Sequence, residues 1–182
     1  MMEKKSKSKN HYVDNAKFLE EMVAYRKMVS DAKDKGLARP KVPEYIGHCF
    51  LEIATNLSHK PNFANYQYRE DMIMDGVENC LQYIDNFDPS KSNNPFSYFT
   101  QITYYAFVRR IQKEKKTLYV KYKAIQDSLL HDDEVTITQY GSDHAHSQME
   151  EFIKQYEESK QSKKKKKEKK TVLEQMLTKD GR

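Results

Sequence analysis

Residues 71–116 read DMIMDGVENCLQYIDNFDPSKSNNPFSYFTQITYYAFVRRIQKEKK, and their side chains support two opposed chemistries. The first part sets Asp71, Asp75, Glu78, Asn79 and Gln82 on the outer face of an amphipathic helix. Ile73, Val77, Cys80, Leu81 and Ile84 are expected on its inner face. The last part crowds Phe96, Tyr98, Phe99, Tyr104, Tyr105 and Phe107 into twelve residues and runs directly into Arg109, Arg110, Lys113, Lys115 and Lys116. Aromatic faces hold unstacked bases, and the basic groups beside them hold phosphates. A row of carboxylates repels phosphate, so the acidic helix needs another kind of partner. Together the two faces describe an adaptor between DNA and a second protein.

Each face has a plainer competing account. The acidic one can be a solvated surface, and the six rings can be a thick aromatic core. The core account fits the tyrosines poorly. A helix buries one face, and a buried hydroxyl needs a partner, so Tyr98, Tyr104 and Tyr105 are expected nearer the surface than Phe99 or Phe107.

The formal charge of +5 supports a focused basic surface once it is divided. Residues 163–170 (KKKKKEKK) carry a local +6 and leave the rest of the chain at −1. Within that rest, residues 109–123 hold seven basic side chains against Glu114 alone. Concentrated charge of this kind marks a phosphate-binding patch, whereas an even spread marks only solubility.

These residues need a helical scaffold. The 182-residue length suits one domain with tails, and a charged fraction of 32% against a hydrophobic fraction of 37% suits a small helical body with solvated ends. A first helix is expected from Asp14 or Asn15 to about Lys35, with Phe18, Met22, Tyr25 and Val29 on one face, ended by Gly36 and Pro40. A second begins near Pro43, with Ile46, Cys49, Phe50, Ile53, Ala54 and Leu57 at helical spacing. The acidic helix covers roughly residues 68–84, and DPSKSNNP then breaks it. The aromatic helix starts near Pro95, a favoured first-turn residue, and can run to Tyr122. No strand is expected, so the fold class is all-α: a compact four-helix body followed by a loosely structured C-terminal extension, with one more short helix at 149–156.

Other chemistries are less well supplied. His131, His144 and His146 lie near Asp132, Asp133 and Asp143, but no Cys joins them, and a surface loop accounts for them better than a metal site. No Gly-rich phosphate loop, paired catalytic carboxylates or nucleophile motif is present, so neither catalysis nor a cofactor is expected. Cys49 and Cys80 fall on apolar helical faces and read as buried reduced thiols. No membrane span or signal peptide is expected.

The stretch DMIMDGVENCLQYIDNFDPSKSNNPFSYFTQ resembles region two of bacterial sigma factors, in which a D-L-I-Q-E-G helix leads through a K-F-D turn to an F-S-T-Y-A aromatic helix. Asp71, Ile73, Asp75 and Gly76 stand for the first pattern, Asn86, Phe87 and Asp88 for the turn, and Phe96, Ser97 and Phe99 for the third. The likeness covers residues 45 to about 122. No second helical domain that would read an upstream element is legible after it. With its acidic middle, the YEES stretch at Tyr156 and an apolar C-terminal piece, the chain is similar to the late-transcription sigma factors of T-even-type bacteriophages.

That resemblance implies a transcription initiation factor working in the cytoplasm of an infected bacterium. It implies docking on the clamp coiled coil of bacterial core RNA polymerase through Asp71, Met74, Asp75, Glu78, Asn79 and Gln82. Promoter DNA, melted at an AT-rich element near the start site, would fall to Phe96, Tyr98, Tyr104, Tyr105, Arg109, Arg110, Lys113 and Lys116. The tail would reach the phage sliding clamp, with a late co-activator, through Val172, Leu173, Met176 and Leu177; a solvated tail is the competing account. The expected organisation is thus a disordered 1–10, a region-two-like domain at 11–125, an acidic and partly helical extension at 126–160, a Lys-rich linker at 161–170 and a tail at 171–182. The chain departs from the family at Ile102 and Thr103, where many sigma factors carry a Trp pair, and at Met74, which replaces an amide. Two rival classes stay open: a small helical repressor that reads duplex DNA, which leaves the acidic helix without a task, and a polymerase-binding antagonist of the host sigma factor, which leaves the aromatics without one.

Overall fold

Asp14 opens the first helix as its position suggests, its carboxylate accepting from the backbone N–H groups of Ala16 at 3.0 Å and Lys17 at 3.2 Å. These bonds satisfy donors that a helix start leaves without partners. The computed structural model describes residues 12–131 and 143–179, with side chains described at 12–128, 144–162 and 164–165. The helices are α1 (Asn15–Asp34), α2 (Glu44–Ser58), α3 (Arg69–Gln82), α4 (Pro95–His131) and α5 (Asp143–Lys179), with one 3-10 turn at Ile84–Asn86. No strand occurs among the described residues, and the class is all-α. The expected disordered segment 1–10 and residues 132–142 of the expected acidic extension, with Asp132 and Asp133, lie outside the described residues.

The chain divides into two compact units, residues 1–111 and 112–182. In the first, Phe18, Met22 and Tyr25 of α1 meet Ile46, Cys49, Phe50 and Ile53 of α2, and Phe99 of α4 closes this core. The Phe50 and Phe99 rings lie 4.6 Å apart between centroids. A second cluster joins Ala54, Phe63, Met72, Ile73 and Phe107. Gly36 takes a positive φ of 64° where α1 ends, a conformation that costs glycine little.

The turn before α4 is fixed by polar contacts. Asp88 Oδ1 accepts from the Ser90 backbone N–H at 3.1 Å and from Ser90 Oγ at 2.8 Å, and these bonds hold its carboxyl below the usual range. Arg26 Nη1 donates to the Phe87 carbonyl at 2.6 Å, and Asn94 Oδ1 caps α4 by accepting from Ser97 N–H at 2.9 Å. The Phe96 N–H donates to Asn15 Oδ1 at 3.1 Å, which pins the start of α4 to the start of α1.

The expected inner face of α3 is corrected at two positions. Leu81, expected inward, is 38% exposed, while Met72, which the inward stripe omitted, is fully buried. The inner face of α3 is Met72, Ile73, Gly76 and Cys80, a stripe rotated toward the side on which α4 crosses. Gly76 is what allows that crossing: a Cβ there would sit 2.9 Å from both Phe107 Cε1 and Thr103 Cγ2, and 3.5 Å from Ala54 Cβ. Thr103 is fully buried; its hydroxyl donates to the Phe99 carbonyl at 2.9 Å and meets Cys80 Sγ at 3.3 Å. Burial pushes the Cys80 thiol up to about 11, with the Thr103 contact opposing.

In the second unit, Tyr119 stacks on Tyr156 at 4.5 Å between centroids and Tyr122 meets the edge of Phe152 at 5.5 Å. Met149 and Ile153 are also buried in this unit. Tyr119 Oη donates to Glu157 Oε1 at 2.9 Å, and that bond raises the phenol's pKa. The short helix expected at 149–156 is part of the 37-residue α5, which also takes in the Lys-rich segment expected as a linker. Lys, Gln and Glu are good helix formers, and neither Gly nor Pro interrupts 143–179.

Two glycine substitutions are expected to have opposite signs. Gly76→Ala should destabilise the protein by about 1–2 kcal/mol, overpacking outweighing the helix preference of Ala. Gly47→Ala, on α2 with nothing within 4 Å of the added methyl, should stabilise it by about 0.5–1 kcal/mol. Urea denaturation of both variants checks the pair of signs.

Candidate nucleic-acid and protein-docking faces

The crossing of α3 and α4 sorts the aromatic residues of α4 into three settings. Phe99 and Phe107 are fully buried. Phe96 and Tyr98 are half-buried against the first core cluster; the Phe96 ring meets Tyr12 at 5.6 Å and the Tyr98 ring meets Phe87 at 5.3 Å. Tyr104 and Tyr105 are 40% and 52% exposed. Tyr98, expected nearer the surface than Phe99 or Phe107, is half-buried where those two are fully buried; its ring flanks the core, and burial raises its pKa. The reason is geometric: Tyr98 adjoins Phe99, and Phe87 of the preceding turn lies under both rings, 5.9 Å from Phe99.

Tyr104 and Tyr105 form the open aromatic surface, their centroids 5.7 Å apart at an interplanar angle of 75°. Tyr104 is also held from the α2–α3 loop, where the buried Phe63 ring meets it edge-on at 5.7 Å and meets Phe107 at 5.2 Å. Tyrosines oriented this way offer large, stiff apolar faces at low entropy cost. Phe63 has no place among the residues expected from sequence. The available signal was the aromatic run in the loop NFANYQY, which otherwise lacks helical or strand periodicity.

On α3, Met74 is 57% exposed and Glu78 is exposed. Gln82 is also exposed, and Leu81 and Tyr83 add apolar area at the end of the helix. Asp71 and Asp75 are not solely solvated. Arg110 Nη1 donates to Asp75 Oδ2 at 2.8 Å and Arg110 Nη2 donates to Asp71 Oδ2 at 3.1 Å. Asn79 Oδ1 accepts from Arg109 Nη2, and Asn79 Nδ2 donates to the Asp75 carbonyl at 2.8 Å. The structure therefore joins five residues expected to serve a protein partner or DNA separately: Asp71 and Asp75 with Arg110, and Asn79 with Arg109.

Lys113 and Lys116 are exposed on the part of α4 that belongs to the second unit. Val172, Leu173, Met176 and Leu177 lie within α5, and their side chains are outside the described residues. His146 Nε2 lies 3.3 Å from Glu150 Oε1 and His144 Nε2 lies 2.9 Å from Gln148 Nε2. Among the described residues no group of three or more metal-ligating side chains converges, and no helix is long and apolar enough to cross a membrane.

No protein-family model matches this chain, and no curated protein matches it.

The two settings of tyrosine separate on substitution. Tyr105→Ala is expected to leave stability within about 0.5 kcal/mol of the parent, whereas Tyr98→Ala, which strips a ring from Phe87 and Phe99, should lose about 2 kcal/mol. Thermal melts of both variants measure the difference.

Proposed function

We propose that this protein is a transcription initiation factor of the sigma type, which docks on bacterial core RNA polymerase and directs it to late promoters of a bacteriophage. The observation that carries the proposal is the pairing of two unlike surfaces on adjacent helices. One is an acidic α3 face with Met74 exposed at its centre; the other is the exposed Tyr104–Tyr105 pair of α4, followed by basic residues. The region-two resemblance of residues 45–122 supplies the identity of the partners.

Asp71, Asp75 and Glu78 face the basic clamp coiled coil of the polymerase in this reading, and Met74 adds an apolar contact among them. Complementary charge there steers encounter and sets register more than it adds affinity. Tyr104 and Tyr105 take bases of the separated strand, each stacking contact being worth about 1–3 kcal/mol. Phe96 and Tyr98, half-buried against the first core cluster, offer the DNA less open ring area than that pair. AT-rich steps unstack most cheaply, so the cost of melting contributes to selection of the site. Arg109, Arg110, Lys113 and Lys116 serve the phosphates. The apolar end of α5, with Val172, Leu173, Met176 and Leu177, is assigned to the phage sliding clamp, with a late co-activator as further partner. The protein itself does no catalysis in this reading and acts in the host cytoplasm.

Charge reversal on the outer face tests the docking half. Asp75→Lys with Glu78→Lys is expected to reduce capture of core polymerase by the tagged protein at least tenfold, with helix content unchanged by circular dichroism. Capture equal to that of the parent would remove the acidic face from the polymerase contact.

A further inference from the structure

In the second unit, the pairing of α4 with α5 gathers basic charge at one end. Tyr119 of α4 stacks on Tyr156 of α5 and Tyr122 meets Phe152, so a step forward along α4 matches a step back along α5 and the two run antiparallel. Lys116 comes about 4.5 Å before Tyr119 along its helix, and Lys160 comes about 6 Å after Tyr156, so both leave the stack in the same direction. That end carries Lys113, Lys115 and Lys116 on α4 and Lys160, Lys164 and Lys165 on α5, all six exposed. The first part of α5 is of opposite character: residues 143–153 hold Asp143, Glu150 and Glu151 and no Lys or Arg.

Little in the unit neutralises the basic end. Residues 160–170 set eight Lys against Glu168. Among the described residues, Lys113, Lys115, Lys116, Lys164 and Lys165 enter no ion pair, whereas Lys123 lies 3.7 Å from Glu157. Lys160 Nζ sits 5.4 Å from the centre of the Tyr156 ring, which ties the start of the lysine segment to the stacked pair. The helix continues unbroken to Lys179, so these lysines are carried on a stiff support.

We infer that the lysine segment of α5 and the basic end of α4 form one two-helix surface that binds the phosphate backbone of duplex nucleic acid without reading its sequence. This extends the phosphate role given above to Lys113 and Lys116, and it is independent of the polymerase contact. Like charges along and between neighbouring helices repel, and a polyanion relieves that repulsion over the whole surface. A duplex presents about one phosphate charge per 1.7 Å of its axis, a dense match for lysines that recur on successive turns. Stacking of bases is not available here. Tyr119, Tyr122, Phe152 and Tyr156 are half-buried and packed on one another, so the surface favours a duplex over a separated strand.

Fluorescence anisotropy with the full chain and a short labelled duplex of mixed sequence, across a range of salt and without polymerase, tests the surface. Lys163→Gln, Lys164→Gln and Lys165→Gln together keep the helix preference. They should weaken binding about tenfold or more at about 0.1 M salt, with a salt slope shallower by about two to three ions. Lys27→Gln, Lys35→Gln and Lys41→Gln remove the same charge from exposed positions of the first unit and should change affinity less than about twofold. Equal effects of the two triple variants would overturn the surface, because net charge alone would then account for binding. Tyr119→Ala with Tyr156→Ala keeps every charge but removes the stack; it should weaken duplex binding about threefold or more, and affinity equal to the parent's would overturn the two-helix geometry. A Lys163–Lys165 variant that binds duplex like the parent but captures core polymerase less well would also overturn the inference, by giving the segment a protein partner, and would leave the sigma reading standing. A parent chain that binds the duplex as expected yet never captures core polymerase would remove the sigma reading and leave this surface in place.

Discussion

Gly76 lets α4 cross α3 closely, with Thr103 Cγ2 and Phe107 Cε1 2.9 Å from the place a Cβ would occupy. That contact fixes the rotation of α4 about its own axis. With Phe99, Thr103, Ala106 and Phe107 turned inward, Tyr104 and Tyr105 have to face solvent, because they lie on the opposite side of the same two turns. The rotation also decides what lies one turn further on. Arg110 follows Phe107 by three residues and so emerges over α3, where Asp71 and Asp75 receive it. A single close approach thereby produces the open aromatic pair and the ion pairs beside it.

The buried polar atoms at this crossing reinforce it. The Thr103 hydroxyl donates to the carbonyl of Phe99 on its own helix and touches Cys80 Sγ on α3, so the interior of the crossing is satisfied without water. Thr103 is small enough to lie beneath Gly76, and the exposed rings of this crossing come one and two residues later, at Tyr104 and Tyr105. The aromatic function that the sigma-factor pattern places at the Trp pair is, in our proposal, carried by Tyr104 and Tyr105, steadied by Phe63 from the α2–α3 loop.

Much of the frame was legible in the sequence because its signals are local. Asp14 as a cap, Gly36 and Pro40 as stops, Pro95 as a first-turn residue and the apolar stripe of α2 each depend on neighbours within a few residues. The inner face of α3 was read one step off: Leu81 completes a helical period as well as Met72 does, and only the position of α4 chooses between them. Tyr98 is nearer the surface than Phe99, as its hydroxyl suggested, but its packing on Phe87 was not legible, because Phe87 arrives through a turn whose path periodicity does not encode. The Arg110 pairs with Asp71 and Asp75 span 39 and 35 residues, and lateral contacts of that kind leave no trace in a one-dimensional pattern. The length of α5 was underestimated because a run of lysines was read for its charge, while its helix propensity decided the backbone.

The central claim is that the exposed tyrosines and the basic residues of α4 hold opened DNA once the acidic face of α3 has docked. Permanganate probing of a short AT-rich promoter, with bacterial core RNA polymerase and this protein, tests it most directly. The account predicts reactive, unpaired thymines within the AT-rich element, present with both proteins, absent with either alone, and lost with Tyr104→Ala plus Tyr105→Ala. Thymines that stay unreactive while the protein is bound to the polymerase would contradict it.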